Sequence, residues 1–425
     1  MLNKTKKIYH YLIPQMADVF YGYPGKKMIV VGVTGTKGKS TTCRFVASVL
    51  QAGGYKVGVM STVEFQVGDR RWLNDKKMSM LGRGEIQKML KQMVDAGCEY
   101  AVVETSSEGI LQYRHLGVHY DIVVFTNLGT EHSERHGGFE NLKKDKMKLF
   151  VDLKKEHNKV IKGHRVEKII VVNADDKYAE HFLNNSADKK FTFAMTKNAD
   201  YRGHTISATA AGVKFEANGH NYKLNLAGDF NVPNALAAIA VGKSQGETEE
   251  EIARGLDSIK MLEGRMEFIE EGQDFKVIVD YAHEPLSLTA LFKSIRQMVG
   301  ATGKVIGVVG SDGGGRDKSK REKMGRIAGE LCDYVIITDV NCFDEDPAAI
   351  AEMLAIGARQ AGKKDNENLF IVVDRREGIK KAISLAKTGD AVAITAKGTE
   401  LCICVAGGKR IPWDDRRVAR EILKK

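Results

Sequence analysis

The stretch that decides the fold is Val30-Val31-Gly32-Val33-Thr34-Gly35-Thr36-Lys37-Gly38-Lys39-Ser40-Thr41-Thr42. It begins as an apolar, β-branched run that is typical of a buried strand, and it passes through a glycine-rich turn into a helical pattern. The first N–H groups of a helix have no partner within the helix and carry positive potential, so such a turn can bind phosphate. Lys39 would contact the terminal phosphates of a nucleotide, and the Ser40 hydroxyl would ligate Mg²⁺.

The other residues of the turn are expected to contact the same ligand. Glycine allows backbone conformations and close approaches that a Cβ atom would block. A general phosphate-binding loop also has glycine five residues before Gly38, where this chain has Val33. An ordinary strand-to-helix turn is the alternative interpretation. The predicted phosphate-binding residues are Gly35, Thr36, Gly38, Lys39, Ser40 and Thr41.

Composition and charge limit the classes of protein to consider. The chain has 425 residues, enough for two or three domains. No apolar run approaches the roughly 18 residues of a membrane span and no signal peptide is evident, so we expect a cytoplasmic protein. The formal net charge of +10 favours anionic ligands. Aromatic residues make up only 7% of the chain and do not alternate with basic ones, so we expect small-molecule substrates and no nucleic acid partner. We also expect the protein to be a monomer.

Three segments are expected in chain order. Residues 1–27 predict a short helix with apolar residues on one face, interrupted or ended by Pro14 and by the glycines that follow. Its preferred role is to cap the next domain, and contact with a membrane surface is the alternative. Residues 28–261 would form a central ATP-binding domain that carries the phosphate-binding turn, and residues 262–425 would form a C-terminal domain.

Both larger segments alternate short β-branched runs with helical patterns, which is typical of α/β domains with mostly parallel sheets. Residues 191–227 look different and suggest a small antiparallel appendage. The C-terminal segment predicts a second, Rossmann-like α/β unit. The strands predicted for the central domain are 28–33, 56–61, 100–104, 121–126 and 168–173, and those for the C-terminal domain are 276–281, 304–310, 334–339, 369–373, 391–395 and 401–405.

Polar side chains follow two strands of the predicted central sheet. Glu104 ends one of them, and His132 comes shortly after the next. Ligands in open α/β sheets bind at the carboxyl ends of the strands, so both side chains are expected near the phosphate-binding turn. We predict that Glu104 and His132 hold Mg²⁺ together with Ser40. For Glu104 the alternative is a helix cap or a solvated carboxylate.

Several motifs, in the same order along the chain, resemble those of the Mur ligase family. The motifs shared with the family are Gly35-Thr36-Lys37-Gly38-Lys39-Ser40, Glu104-Thr105-Ser106-Ser107, Thr126-Asn127-Leu128, Glu131-His132, Gly228-Asp229-Phe230-Asn231-Val232-Pro233-Asn234 and Asp280-Tyr281-Ala282-His283. Within the family the chain is most similar to the MurE type, through Gly264-Arg265-Met266-Glu267, Gly313-Gly314-Gly315-Arg316-Asp317-Lys318-x-Lys320-Arg321 and Lys397-Gly398-Thr399-Glu400. The resemblance covers residues 28–425.

The resemblance implies a reaction and its cofactors. In the family, ATP phosphorylates a substrate carboxylate to an acyl phosphate, and an incoming amine displaces the phosphate as the amide forms. Such phosphoryl transfer relies on positioning and on neutralisation of charge. The resemblance implies two Mg²⁺ sites, and it implies that CO₂ carbamylates Lys146, which turns a cation into an anionic metal ligand. A solvated lysine in a charged run is the alternative for Lys146.

The resemblance also implies roles for individual residues. Asn231 would contact the nucleotide, although its position also fits a simple helix cap. The implied catalytic residues are Lys39, Lys146, His283 and Arg316. The implied metal ligands are Ser40, Glu104, His132 and Lys146. The implied nucleotide contacts beyond the turn are Asn231, Arg265, Asp280, His283 and Arg316. The implied contacts with the substrates are Ser106, Ser107, Arg114, Asn341, Lys397 and Glu400.

The chain departs from the MurE pattern in three places. Only residues 1–27 precede the central domain, where MurE-type enzymes carry a domain for the UDP end of the substrate. Met80-Leu81 and Glu108 replace the family's Thr-Pro and His on the muramoyl-peptide side. Val340-Asn341-Cys342-Phe343 stands where diaminopimelate-adding members have Asp-Asn-Pro-Arg. The arginine for the distal carboxylate is missing, which disfavours diaminopimelate and leaves lysine or another amino acid open.

The sequence therefore predicts an ATP-dependent amide-bond ligase that adds an amino acid to a muramoyl-peptide carboxylate in peptidoglycan precursor synthesis. The alternative enzyme is another ligase of the superfamily, either folylpolyglutamate-like or forming a poly-amino acid. The alternative class is a non-catalytic nucleotide-binding subunit. The presence of Lys39, Ser40, Glu104, Lys146 and His283 weighs against that class.

Overall fold

A computed structural model describes residues 4–76, 78–129, 133–155 and 158–424 of the chain. The chain divides into two compact units. Unit 1 comprises Met1–Ala208, Gly212–Asn225 and Asp229–Lys260, and unit 2 comprises Thr209–Ala211, Leu226–Gly228 and Met261–Lys425. None of the helices in the described ranges is both long enough and apolar enough to cross a membrane.

Unit 1 consists of strands and helices that alternate along most of its length. Its strands are β1 (Ile29–Thr34), β2 (Val57–Met60), β3 (Glu64–Val67), β4 (Arg70–Leu73), β5 (Tyr100–Glu104), β6 (Ile122–Phe125), β7 (Val160–Ile161), β8 (His164–Arg165), β9 (Ile169–Asn173), β10 (Lys189–Ala194), β11 (Tyr201–Thr209), β12 (Gly212–Ala217) and β13 (His220–Leu224). Its helices are α1 (Lys4–Phe20), α2 (Lys39–Ala52), α3 (Arg83–Asp95), α4 (Ser107–Leu111), α5 (Phe139–Leu153), α6 (Ala179–Leu183), α7 (Val232–Ser244) and α8 (Glu249–Ser258).

One large sheet organises unit 1, with the strand order β13-β12-β11-β10-β9-β6-β1-β5-β2-β3-β4. The strand β1 lies between β5 and β6 and is parallel to both, with Val33 opposite Glu104 and Val124. The residues of β5 and β6 are all buried, as expected for parallel strands covered by helices on both faces. The sequence-predicted parallel α/β fold is therefore confirmed, and the carboxyl ends of β1, β5 and β6 lie together.

One local prediction for unit 1 is wrong. Residues 191–227 are not a separate antiparallel appendage, because β10 pairs in parallel with β9 and β11 pairs in parallel with β10; β12 and β13 do pair antiparallel. The helix predicted in residues 1–27 is present as α1, which continues through Pro14 and ends at Phe20, just before the glycines that were expected to end it. Proline removes one backbone hydrogen bond from a helix interior. Packing of α1 against α3 and the contact of Asp18 Oδ2 with His119 Nε2 at 2.7 Å help to hold the helix.

Unit 2 is a smaller α/β unit. Its strands are β14 (Glu267–Phe268), β15 (Lys276–Val279), β16 (Val305–Val309), β17 (Tyr334–Ile337), β18 (Leu369–Ile371), β19 (Ala391–Ile394), β20 (Cys402–Cys404) and β21 (Arg410–Pro412). Its helices are α9 (Pro285–Val299), α10 (Ser319–Leu331), α11 (Pro347–Gln360), α12 (Arg375–Leu385) and α13 (Asp415–Leu423). The main sheet has the order β14-β15-β19-β16-β17-β18, parallel from β15 onward. The strand predicted at residues 401–405 does not join this sheet, because β20 pairs with β21 instead.

Candidate active site

The phosphate-binding turn connects β1 to α2 and is tightly enclosed. Gly38 has a left-handed φ of 79° immediately before α2. A Cβ atom on Gly38 would lie 2.2 Å from Asn234 Oδ1, and one on Gly35 would lie 2.0 Å from Thr126 Oγ1. A larger residue at either position would displace its neighbour, so the structure explains both glycines. Ser40 and Thr41, in the first turn of α2, are each 6% exposed.

The residues that follow β6 fix the turn from one side. Asn127 Oδ1 accepts a hydrogen bond from Lys37 N at 2.8 Å, and the Asn127 carbonyl accepts one from Thr36 N at 2.9 Å. Thr126 Oγ1 donates to the Lys37 carbonyl at 2.7 Å, and Gly129 N donates to Thr36 Oγ1 at 2.8 Å. These bonds hold the turn in a defined conformation, which lowers the entropy cost of binding a ligand.

A hydroxyl and a carboxylate meet at the start of α2. Ser40 Oγ donates to Glu104 Oε2 at 2.7 Å, and the same oxygen accepts from Thr62 N at 2.7 Å. Thr62 Oγ1 donates to Glu104 Oε1 at 2.8 Å. Among the described residues, no three His, Cys, Asp or Glu side chains cluster as a metal cage. A carboxylate and a hydroxyl beside a phosphate site instead fit Mg²⁺, which needs few protein ligands there.

Two lysine side chains reach the same turn. Lys39 Nζ donates to the Thr36 carbonyl at 2.9 Å, and Lys146 Nζ donates to the Gly35 carbonyl at 2.7 Å. Lys146 lies on α5 and is only 3% exposed, which excludes the alternative of a solvated surface lysine. The structure therefore brings Lys39, Ser40, Glu104 and Lys146 together. His132 lies outside the described residues, and its role stays a prediction.

A buried contact between a histidine and a carboxylate lies next to Lys146. His136 Nδ1 is 2.6 Å from Asp145 Oδ2, and Lys148 Nζ is 2.5 Å from Asp145 Oδ1. Burial raises the pKa of the Asp145 carboxyl, but the bonds from His136 and Lys148 outweigh burial and leave that pKa below its usual value. Asp145 was not expected from the sequence, because it stands in a run of lysines that reads as a solvated surface.

The predicted substrate contacts of unit 1 lie on and after α4. Ser106 caps this helix by accepting a hydrogen bond from Gly109 N at 3.2 Å, and Ser107 is buried in the first turn. Arg114 Nη1 donates to the Met80 carbonyl at 2.6 Å. Ser106 thus has a structural partner already, and the guanidinium of Arg114 is anchored to the loop before α3.

Two asparagines lie at the start of α7. The side chain of Asn231 makes no capping bond to the helix, which weighs against the interpretation of this residue as a simple cap. Asn234, which the sequence did not single out, touches Gly38. Its Oδ1 atom lies 3.3 Å from Thr42 Oγ1. The second asparagine of the Asn231-Val-Pro-Asn234 motif was the available signal for this contact.

In unit 2, three predicted nucleotide residues lie close together. Asp280 Oδ2 accepts a hydrogen bond from Met266 N at 2.8 Å, and burial raises the pKa of the Asp280 carboxyl. The Arg265 guanidinium lies 4.4 Å from the centre of the Tyr281 ring. His283 Nδ1 is 2.8 Å from the Tyr281 carbonyl oxygen. Tyr281 therefore contacts both Arg265 and His283, a role that the sequence motif alone does not reveal.

The predicted substrate residues of unit 2 form a second group. Asn341 Nδ2 donates to Asp312 Oδ1 at 2.8 Å and to Glu400 Oε2 at 3.0 Å. Lys397 Nζ is fully buried and donates to Asn341 Oδ1 at 3.2 Å and to Glu400 Oε2 at 3.0 Å. Asp312 was missed, although it follows the carboxyl end of β16, where ligands bind in such sheets.

Arg316 lies elsewhere in unit 2. Its guanidinium carbon is 5.9 Å from the centre of the Phe343 ring. The backbone of Phe343 has a left-handed φ of 52°. A cation over an aromatic face is a weak attraction at this distance. Arg316 is predicted to be catalytic, and this placement leaves that role a prediction.

A parallel sheet with a phosphate-binding turn, a carboxylate at the helix hydroxyl and a second α/β unit define a P-loop nucleotide-binding protein of two α/β units. Residues 33–242 match the Mur ligase middle domain, and residues 264–398 match the Mur ligase, glutamate ligase domain. The chain belongs to the Mur ligase family. It is an ATP-dependent ligase that joins a carboxylic acid to an amino acid, in a family that uses ATP and Mg²⁺.

Individual relatives extend this similarity over nearly the whole chain. A UDP-N-acetylmuramyl-tripeptide synthetase of Roseiflexus sp. (strain RS-1) is 40% identical over 416 residues, which is 96% of this chain and 81% of the relative. A UDP-N-acetylmuramoyl-L-alanyl-D-glutamate--2,6-diaminopimelate ligase of Geobacillus kaustophilus is 36% identical, with the same coverage. The solved structure of another such diaminopimelate ligase has a TM-score of 0.62 at 28% identity, covering 94% of this chain and 78% of that one.

Proposed function

We propose that the chain adds an amino acid to the carboxylate of a muramoyl-peptide precursor, with ATP as the phosphoryl donor, in peptidoglycan precursor synthesis. The observation that carries the proposal is the Ser40–Glu104 pair at 2.7 Å beside the phosphate-binding turn. Its support is that the chain is 40% identical to a UDP-N-acetylmuramyl-tripeptide synthetase over 96% of its length.

The residues of unit 1 would position the phosphoryl transfer. Lys39 and the N–H groups of the turn would hold the terminal phosphates, and Ser40 and Glu104 would hold Mg²⁺, which neutralises the charge that develops there. The acceptor carboxylate attacks the terminal phosphorus and ADP leaves. The amine nitrogen then attacks the acyl carbon, loses a proton and displaces phosphate as the amide bond forms.

We also propose that Lys146 is carbamylated and serves a second Mg²⁺ together with His132. Lys146 is buried at the turn, and burial disfavours a cationic ammonium group next to a metal ion. A carbamate at that position would add negative charge and oxygen ligands. The test is Lys146→Ala beside Lys144→Ala, an exposed lysine on the same helix. We expect about 10²- to 10³-fold slower ADP release in the first variant only, with rescue by small carboxylates and loss of a CO₂ adduct by mass spectrometry.

We propose that residues 28–261 and 262–425 are the two functional domains. We also propose two roles for residues of unit 2. Arg265, Asp280, His283 and Arg316 would contact the nucleotide. Asn341, Lys397 and Glu400 would contact the incoming amino acid, for which the carboxylates of Glu400 and Asp312 suit a cationic amine. With Asn341 and its neighbours in place of the family's arginine motif, the site favours an amino acid other than diaminopimelate.

The experiment that tests the proposal is ADP release from ATP with UDP-N-acetylmuramoyl-dipeptide, screened across single amino acids that include L-lysine and diaminopimelate. We expect release that depends on both substrates and that Lys39→Ala abolishes. Protein that binds ATP but releases no ADP with any amino acid would contradict the proposed acceptor. The fastest release with diaminopimelate would contradict the proposed amino-acid preference.

A further inference from the structure

Two half-buried arginines of unit 1, Arg83 and the predicted substrate contact Arg114, have no acidic partner among the described residues. Arg83 is the first residue of α3, and Arg114 follows α4. Arg114 Nη1 donates to the Met80 carbonyl at 2.6 Å, which brings its guanidinium to the loop that leads into Arg83. Within the part of the chain that the structure describes, neither guanidinium has a carboxylate within 4.0 Å, and each Nε atom is buried without a hydrogen-bond partner.

The two positive charges act on each other. Burial lowers the pKa of the Arg83 guanidinium, and the charge of Arg114 lowers it further. Burial also lowers the pKa of Arg114, although the more distant carboxylates of Glu108 and Glu85 oppose this effect. Those carboxylates have other partners, because Glu108 Oε2 accepts from Arg135 at 3.0 Å and Glu85 Oε2 accepts from the backbone N–H before α3. The pair is therefore an uncompensated concentration of positive charge.

The helix α1 completes the surroundings of this pair. His10 Nε2 lies 3.3 Å from Arg83 Nη2, and His10 Nδ1 is buried without a partner among the described residues. Tyr11 packs edge-on against Tyr113, with ring centres 5.7 Å apart. Tyr113 directly precedes Arg114 and has a left-handed φ of 59°. Strained conformations of this kind in residues other than glycine cluster at ligand sites.

We propose that Arg83, Arg114 and His10 bind a doubly charged anionic group of the acceptor, of the phosphate or diphosphate class. A guanidinium presents paired donors that match phosphate oxygens, and the Nη groups of Arg83 and Arg114 lie beside His10 and at the loop before α3. Two adjacent cations need about two negative charges, which a diphosphate esterified at both ends carries. The inference rests on the proposed function, because the acceptor supplies the anion, and it gives α1 a role in substrate binding.

The test measures binding of inorganic diphosphate by calorimetry in the full chain. The Lys39→Ala background without Mg²⁺ weakens binding at the phosphate-binding turn, so that the second site can be seen. We expect Arg83→Gln in that background to bind diphosphate about 10- to 100-fold more weakly, the loss for a charged hydrogen-bonding group. The matched control is Arg202→Gln, which removes an exposed arginine on β11 and should change nothing.

Equal binding by the Arg83→Gln and Arg202→Gln proteins would overturn the inference, as would tighter binding of a dicarboxylate than of diphosphate. If Arg83→Gln does not fold, His10→Asn replaces it, with an expected weakening of about 2- to 13-fold. In turnover, Arg83→Gln should raise the KM for the acceptor and leave the KM for ATP unchanged. The calorimetry decides the inference even if no acceptor is turned over, so its failure and that of the proposed function are distinguishable.

Discussion

Replacing Glu104 by glutamine separates a role in metal binding from a role in the fold. Glu104 is 2% exposed and accepts hydrogen bonds from Ser40 Oγ, Thr62 N and Thr62 Oγ1. Glutamine has nearly the same shape. Its oxygen can accept from Ser40 and from Thr62 N, and its NH₂ group can donate to the Thr62 hydroxyl. The Ser40 hydroxyl and Thr62 N then keep an acceptor, while the negative charge is gone.

The magnitudes favour an intact fold in Glu104→Gln. A hydrogen bond to a charged group contributes about 1.5–3 kcal/mol and a neutral one about 0.5–1.5 kcal/mol, so three exchanges cost about 3 kcal/mol. Burial of an amide in place of a carboxylate recovers several kcal/mol, so the net change should stay within about 2 kcal/mol. Glu104→Ala leaves Ser40 Oγ and Thr62 N unpaired, at about 1–3 kcal/mol each. Both variants should lose about 10²- to 10³-fold in rate, because both lose the charge at the metal.

The assay is ADP release over a series of Mg²⁺ concentrations, combined with thermal unfolding of each variant. The control is Glu99→Gln, at the opposite end of β5, whose carboxylate pairs with Lys162 Nζ at 2.5 Å. A wild-type rate and Mg²⁺ dependence in Glu104→Gln would refute the metal assignment. A loss of stability in the glutamine variant as large as that in the alanine variant would show that the charge serves the fold.

Two further predictions concern unit 2. Asn341→Ala removes the side chain that joins Asp312, Lys397 and Glu400. We expect this variant to have a KM for the amino acid that is about 10- to 100-fold higher and an unchanged KM for ATP. Equal increases in both KM values would contradict a role in amino-acid binding. The bond from Arg321 lowers the pKa of Glu345 to about 2. This carboxylate therefore stabilises the folded protein at neutral pH, and that contribution disappears as the pH falls from about 4.5 towards 2. Glu345→Gln should show a shallower acid dependence of the free energy of unfolding, measured with urea between pH 6 and pH 2.5; parallel curves would contradict the pairing.

The sequence located the strands that carry the phosphate-binding site because their apolar runs are short, continuous and bounded by polar residues. The strand at residues 100–104 was predicted with its observed bounds, and β1 lies within one residue of its prediction. Lys39, Ser40 and Glu104 were predicted to meet, since the carboxyl ends of parallel strands lie at one edge of a sheet. These inferences needed only local patterns and one rule of topology.

The features that were missed depend on partners distant in the sequence. Nothing within residues 191–227 shows that β10 pairs with β9, and nothing within residues 401–405 shows that β20 pairs outside the main sheet. Asp145 is surrounded by lysines in the sequence, and only the fold places it beside the buried side chain of His136. Neither Arg83 nor His10 stands in a recognisable sequence motif. The contact between their side chains depends on the packing of α1 against α3.

The contact between Gly38 and Asn234 has a consequence for the order of events during protein synthesis. Thr42 and Asn234, which close the turn from inside α2 and from α7, are 192 residues apart. At about 5–20 residues per second, a ribosome needs about 10–40 s to make that interval. When β1 and α2 have left the ribosome, the nascent chain therefore still lacks Asn234, which packs against Gly38. The ability to hold a nucleotide should appear late, only after α7 has emerged and docked.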